Sequence, residues 1–436
     1  MMEENKIQAY TSKFSYWDDE DLLIRVNTLN KSLRVKVYRF NDLGVVYMQN
    51  INSNFTQTPE ASETPFISGF GWKVNIALPL KDYPPGLYFI ELHNHNSSPY
   101  YLLINIKNKA LGGKNLVLLN TNTWNAYNAS GGANFYRYNL DKKTQYGPWK
   151  HSRKIIRPTN KIGVTFSRPF DNISKMIARY VNDKGIIGSY YDHLLYGELR
   201  LLKFMDLSGI SFDLFDDRDL HEDAIDISKY NNLVLNCHPE YWSHAMMRNI
   251  QIKANNIISL AGNVGYRKIR WDGDIIYCDP YSKSAGIWPS SELINIVGSY
   301  YSMSGAGTHA PYKILKPDHP LFSPLIDEAC KEYGIERAAV AHFQIGSKSL
   351  NKAPASKEDG ISGHETDKRI PGLDADILAK GTNLKNGGGD ILSFEAKKTD
   401  STEKRSIISV GSIVFTGGLF ADKYVGAFVK SLFKDY

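Results

Sequence analysis

The stretch Leu233–Ser243 reads LVLNCHPEYWS. It opens on an unbroken apolar run, passes through a thiol, an imidazole and a carboxylate, and ends on Ser243, a good N-cap for the helical pattern SHAMMRNIQIKA. An unbroken apolar run, unlike an alternating one, is the pattern of a strand buried on both faces. LVLL (Leu116–Leu119) and IISL (Ile257–Leu260) are of the same kind. Between such runs lies HLLYGELRLLKFMDLSG, where Leu195, Leu199, Leu202 and Met205 recur at helical spacing and Gly209 suits a C-terminal cap. Strands alternating with helices predict an α/β domain built on a mainly parallel sheet.

Toward the N-terminus the pattern changes. Leu33, Val35 and Val37 alternate in LRVKVYRF, and Trp72, Val74, Ile76, Leu78 and Leu80 alternate in WKVNIALPL. Period-two alternation means one buried and one wet face. With the turn in YPPGLYFIEL and the closing YYLLINI, these short strands predict a β-sandwich. NKALGGKN, residues 108–115, reads as the linker. The expected domains are a sandwich over 1–110 and an α/β domain over 111–436. The polar, glycine-rich stretches of 345–405 read as a loop-rich insertion. RSIISVGSIVFTGGL returns to strand character, and YVGAFVKSLFKDY reads as a closing helix.

Composition excludes several classes. The 436 residues are 42% apolar and 22% charged, with a net charge of +6 and no Lys/Arg-rich block, which gives nucleic-acid or membrane-surface binding no electrostatic support. No apolar run approaches membrane-spanning length. The first residues, MMEENKIQAYTSKFSYWDDEDLL, show no signal peptide, and three scattered cysteines (Cys237, Cys278, Cys330) argue against a disulfide framework. A reducing cytoplasm is the expected location.

In an open parallel sheet, ligands bind at the carboxyl ends of the strands. The segments there read NTNTWNAYNASGGANFYRY, SRPFDN, DDRDLHED, NCHPEYWS and AGNVGYRK, all rich in polar and aromatic groups. His238 and Glu240 are two apart, so in an extended segment both point the same way, as metal ligand and acid/base or as an acid/base pair; the bland alternative is a buried cysteine with His and Glu capping the next helix. Cys237 sits where a class I glutamine amidotransferase carries its nucleophile, but Asn236 and His238 replace the flanking glycines of that elbow, which favours an inert buried thiol. DDRDLHED reads as a divalent-metal loop or, more simply, as a helix cap. SGHETD brings His364, Glu365 and Asp367.

Taken in order, NTNTWNAYN…GG…FYRY, SRPF, HLLYGELRLLKFM, DDRDLH, NCHPEYWS, AGN, SGHETD and SVGSIVF resemble the large subunit of N,N-dimethylformamidase and its relatives. The similarity runs from about Val35 to the C-terminus and covers that subunit's C-terminal portion, a sandwich followed by an amidotransferase-like, flavodoxin-like α/β domain. The family's additional N-terminal lectin-like region has no counterpart here.

The resemblance implies hydrolysis of a small amide at a mononuclear, non-haem iron held by two tyrosinates and one glutamate. Glu240 corresponds to the glutamate and Tyr127 to one tyrosine, while His238, Asn263 and Glu365 fall on the family's catalytic positions. Carboxylate and phenolate oxygens are hard donors suited to ferric iron, a Lewis acid that lowers the pKa of bound water. In this scheme His238 orients that water or shuttles a proton, Glu365 is base or leaving-group acid, and Asn263 fixes the substrate carbonyl. One departure stands out. The second tyrosine is expected near FSRPFDN, where the chain has Phe166 and Phe170; Tyr136, Tyr138, Tyr190 and Tyr191 are the substitutes nearby. Two further readings stay open: a catalytically silent binding module, and a metal-independent hydrolase or transferase using Cys237. The partner expected is a small-molecule amide, with assembly either as a homo-oligomer or with a small partner subunit left open.

Overall fold

In the computed structural model the three apolar runs lie side by side. Leu116 and Val117 pair with Leu233 and Val234, which pair in turn with Ile257 and Ile258, all in parallel. The structure describes residues 6–434 except 58–63, 96, 111, 139–161, 186–192, 280–285, 303–306, 335, 338–342 and 348–358. Alternate residues of each run face opposite cores. Leu116, Leu118, Leu233, Leu235 and Ile257 pack on one side, with Met246, Met247 and Ile250 of the helix His244–Lys253. Val117, Leu119, Val234, Ile258 and Leu260 pack on the other, with the helices Leu195–Leu207 and Lys423–Leu432. Each such side chain contributes about 1.5–3 kcal/mol when fully buried, so an Asp at Val234, which is wholly buried, would break the sheet.

These strands belong to a nine-stranded sheet. Its parallel half runs Asp213–Asp216, Gly113–Leu119, Tyr230–Cys237, Asn256–Ala261, Lys404–Ser409, which is 2-1-3-4-5 in chain order. The other half is antiparallel: Asp390–Lys397, Asp376–Gly381, Tyr312–Ile314 and Gln344–Ile345. The sheet is therefore only half parallel, and two of its strands, with the short strands Ser362–Gly363 and Asp367–Arg369, stand in the region expected to be loop. The reason is connection length. Strands 376–381, 390–397 and 404–409 are joined by short turns, which permit only antiparallel neighbours, whereas the earlier strands are separated by helices. GTNLKNGGGD, by contrast, is indeed the turn between two of them.

The first hundred residues form two facing sheets, one of three strands and one of five, with Leu33, Val35, Val37, Ile76, Leu78 and Ile90 in the core between them. Val74 departs from the alternation and is exposed. The strand starts only at Ile76, because the Asn75 side chain stands in for a backbone pair: its Oδ1 accepts from Val26 N–H at 2.9 Å and its Nδ2 donates to Val26 O at 2.8 Å. The sandwich is fastened to the sheet by Asn105 Nδ2, which donates to Leu214 O at 2.9 Å, and by a buried 2.5 Å ion pair between Lys107 and Asp219. DDRDLHED is the cap reading realised. Asp216 accepts from the N–H groups of Arg218 and Asp219 and starts the helix Asp217–Glu222. Among the described residues no helix is long and apolar enough to cross a membrane.

Candidate active site

The strands at 113–119, 230–237 and 256–261 deliver Tyr127, His238 with Glu240, and Asn263 just beyond their carboxyl ends. Tyr127 is the last residue of the helix Thr121–Tyr127, which follows the first strand directly. Glu365 arrives from the other direction. Its carbonyl accepts from Ile413 N–H at 3.3 Å, just past the strand Lys404–Ser409, and its neighbour Thr366 bridges Ser412.

His238 and Glu240 do meet, but not by projecting from an extended segment. The strand ends at Cys237, and a tight turn through Pro239 follows, closed by Glu240 N–H donating to His238 O at 3.0 Å. His238 Nε2 then lies 3.2 Å from Glu240 Oε2 and 3.4 Å from Glu365 Oε2. Asn263 Nδ2 lies 2.7 Å from Glu365 Oε2 and 3.3 Å from His238 Nε2. The amide nitrogen must face Glu365, because a carboxylate only accepts. Asn263 Oδ1 and His238 Nδ1 are buried with no partner among the described residues. Burial works against charge on His238, but the hydrogen bonds and charges of Glu240 and Glu365 outweigh it and hold the imidazole up at about 10. Glu365 moves the other way: burial would raise it, and His238 keeps it below the usual carboxylate range.

Three residues that deliver this cluster share left-handed backbone. Cys237 (φ 58°) precedes His238, Asn263 is itself at φ 55°, and His364 (φ 63°) precedes Glu365. Strain at three converging chain ends is the kind of backbone that persists where a site requires it.

A cluster of phenols also meets Glu240. Tyr136 Oη is 3.2 Å and 3.4 Å from the two Glu240 oxygens and hydrogen-bonds to Tyr241 Oη. The Tyr127 and Tyr136 rings pack at 4.6 Å, and the Tyr127 ring is 4.6 Å from His193 and 6.2 Å from His238. Burial pushes all three phenols well above the usual tyrosine range, and the charge of Glu240 adds to it. Burial likewise holds His193 well below the usual range, so it is neutral. Arg267 supplies a cation, with Nε 3.4 Å from Glu240 Oε1.

The segment where the second tyrosine is expected holds no phenol near Glu240. Phe166 and Phe170 lie in the aromatic core beneath the sandwich, Phe166 stacked on Trp271 at 5.1 Å and Phe170 edge-on to Phe14 at 5.0 Å. Of the substitutes, Tyr136 is the phenol beside Glu240, Tyr138 ends the short strand Arg137–Tyr138, and Tyr190 and Tyr191 lie outside the described residues. The signal for Tyr136 was the Gly131-Gly132 pair, which folds the chain back toward Tyr127 with φ of 82° and 96°. His193, Arg267 and Tyr241 carried no comparable signal; only the fold brings them in.

Cys237 is wholly buried, with Sγ 4.0 Å from Leu194 O at the start of a helix. That is packing, and an attacking thiolate needs access. Among the described residues no group of three His, Cys, Asp or Glu is arranged to hold a metal. The oxygen donors that converge are one carboxylate and two neighbouring phenols, hard donors that fit a hard, highly charged cation. Such a charge would reverse the effect of burial on the phenols.

The model of the family described as N,N-dimethylformamidase beta subunit-like, C-terminal, matches residues 34–425. The chain belongs to that family. No curated protein matches it. Among solved structures, a protein from Bacteroides vulgatus with an immunoglobulin-like β-sandwich fold is 12% identical, covers 23% of this chain and 95% of its own, and has a TM-score of 0.15. A cycloisomaltooligosaccharide glucanotransferase from Paenibacillus sp. is 7% identical, with a TM-score of 0.20 over 61% of this chain and 49% of its own.

Proposed function

We propose that this dimethylformamidase-family protein is a hydrolase that cleaves the C–N bond of a small amide, with iron held by Glu240, Tyr127 and Tyr136. The observation that carries the reading is Tyr136 Oη 3.2 Å from Glu240 Oε2, the carboxylate oxygen that His238 Nε2 also approaches at 3.2 Å. When bound, the metal supplies Lewis acidity and a water of lowered pKa. The α/β half then follows the amidotransferase-like plan, with its chemistry at the carboxyl ends of the strands.

The protein's own groups handle the protons. Hydrolysis splits one water: its oxygen bonds to the carbonyl carbon, one proton is removed, and the amine nitrogen leaves carrying a proton. Glu365, kept ionised by His238, is the base. His238, which meets the carboxylates of Glu240 and Glu365, is the donor to the leaving nitrogen. Asn263 has its Nδ2 committed to Glu365, so it orients that base, and its unpartnered Oδ1 accepts from the amine N–H. This differs from fixing the carbonyl, which would need the amide donor. Arg267 offsets the charge of Glu240 before metal enters.

Elemental analysis with visible absorption tests the reading, followed by amine release from a panel of formamides and acetamides. Iron near one per chain, a tyrosinate charge-transfer band and amine release are expected. Protein that takes up no metal and releases no amine would leave a silent binding module as the better account.

A further inference from the structure

We propose that Arg168 is a positioning residue, a clamp that holds Tyr127 and Tyr136 in register against Glu240. It lies in the SRPF segment, whose role the chemistry above does not explain. The side chain is wholly buried. Nε donates to Thr165 O at 3.0 Å, Nη1 to Ser130 O at 2.6 Å and Ala133 O at 3.0 Å, and Nη2 to Asn125 O at 3.1 Å and Asn125 Oδ1 at 2.8 Å. None of these acceptors is a carboxylate. A buried cation without a counter-ion is expensive, by several kcal/mol for an ion of this size, and carbonyl dipoles must be oriented onto it to offset that. Burial lowers Arg168 only to about 9, so it remains a cation at neutral pH.

The acceptors define what the clamp does. Asn125 stands two residues before Tyr127, and Ala133 three before Tyr136, with Ser130 in the turn between. One planar group thus ties the loop carrying both phenols at three points. A guanidinium has its donors in a rigid fork, so it also sets the spacing between those points, which the ammonium of a lysine does not. The anchor is firm at the other end. Asn128 Nδ2 donates to Pro169 O at 2.9 Å, and Arg168 is flanked by Phe166 and Phe170 in the aromatic core.

The functional half of this inference rests on the metal reading proposed above, and the experiment separates the two. Hydrogen exchange of metal-free protein reads the clamp; iron titration reads its consequence. In Arg168→Lys, exchange over residues 125–136 should rise by about tenfold or more while the strands Tyr230–Cys237 and Asn256–Ala261 stay protected. Iron affinity should fall roughly 10–100-fold, the usual loss when a group behind a ligand is removed. Asn125→Ala, which removes a single acceptor, should give a smaller rise in the same segment and serves if the lysine variant does not fold. Wild-type exchange over 125–136 in either folded variant, or an equal rise across the whole sheet, overturns the clamp. A loosened loop with unchanged iron affinity overturns its positioning role. Wild type that binds no iron overturns the metal reading instead, and the exchange data still decide the clamp.

Discussion

Asn263 donates from Nδ2 to Glu365 Oε2 at 2.7 Å across 102 positions of sequence. The bond joins the loop beyond one parallel strand to the segment between the short strands Ser362–Gly363 and Asp367–Arg369. It also gives Glu365 a neutral neighbour on one oxygen while His238 lies 3.4 Å from the same atom. The carboxylate is therefore fixed in rotation and kept ionised, as a base must be.

The first prediction follows from that bond and from the backbone of Asn263, which is at φ 55°. Asn263→Ala removes the amide and leaves alanine, which unlike asparagine has no polar side chain to ease it, in a left-handed region that disfavours it by about 1–2 kcal/mol. Asn263→Gly removes the amide without that strain. Both variants should lose amide turnover by at least about tenfold, and only the alanine variant should show a markedly lower thermal midpoint. Equal activity of Asn263→Gly and wild type would remove Asn263 from the mechanism.

Tyr241 offers a spectroscopic test. Its phenol is hydrogen-bonded to Tyr136 Oη and otherwise only packs. Tyr241→Phe keeps the ring and removes one donor from the oxygen of a proposed ligand. A phenolate that loses a hydrogen bond is a better electron donor, so the charge-transfer band should move to longer wavelength with iron content retained. An unmoved band in iron-loaded protein would mean that Tyr136 is not the ligand.

Gly131 carries the sandwich's influence on the site. It has φ 82°, and a Cβ there would lie 2.7 Å from Phe66 N, on the sandwich side of the molecule. Backbone cannot yield as a flexible side chain can. Gly131→Ala should therefore shift the loop that carries Tyr136, lowering iron affinity severalfold while circular dichroism stays that of wild type. Full iron affinity in that variant would show that the loop tolerates the shift.

How much of this was legible follows from what each signal depends on. The parallel strands announced themselves because burial on both faces leaves an unbroken apolar run, as in Leu233–Leu235. The strands at 376–381 and 390–397 did not, because edgeward antiparallel strands mix exposed and buried positions and stand among glycines. Tyr127, His238, Glu240, Asn263 and Glu365 were found through motifs that resemble a family. His193, Arg267 and Arg168 lie in quoted segments but were not singled out, since what a ring or guanidinium meets, the Glu240 carboxylate for Arg267 and backbone carbonyls for Arg168, is set by the fold and leaves no pattern in the chain. Val74 was misread for a related reason: the Asn75 side chain, rather than a backbone pair, continues the sheet.

Asp367 predicts a pH dependence of stability. Burial raises it to about 7, against the N–H groups of Asn263 and Val264 that lower it, and its Oδ2 has no partner among the described residues. Its pKa in the folded state is thus above that of the unfolded chain. The stabilisation is full below the ordinary aspartate value near 3.8 and is lost as pH rises through about 7. Asp367→Asn keeps the acceptor for Asn263 N–H and cannot ionise. It should match wild type near pH 3.5, below the unfolded value, and exceed it near pH 8.5, by a margin on the order of 1–4 kcal/mol. Thermal midpoints at the two pH values check this, and a constant difference would rule it out.

The last prediction separates the metal route from the thiol route. Glu240→Ala is a poor probe, because Glu240 is buried beside His238 and Arg267, and removing it strands two cations at a cost of about 3–5 kcal/mol. Glu240→Gln keeps the shape and one accepting oxygen, turns the other into an N–H donor, and removes the charge that would hold iron. It should abolish iron binding and amide hydrolysis together while remaining folded. Cys237→Ala should keep most of its activity, since the thiol is sealed against Leu194 O and no thioester step is required. Its stability should fall by about 1 kcal/mol for the small cavity left behind. If Cys237→Ala is inactive and Glu240→Gln still turns over, the metal reading fails and the thiol is the nucleophile after all.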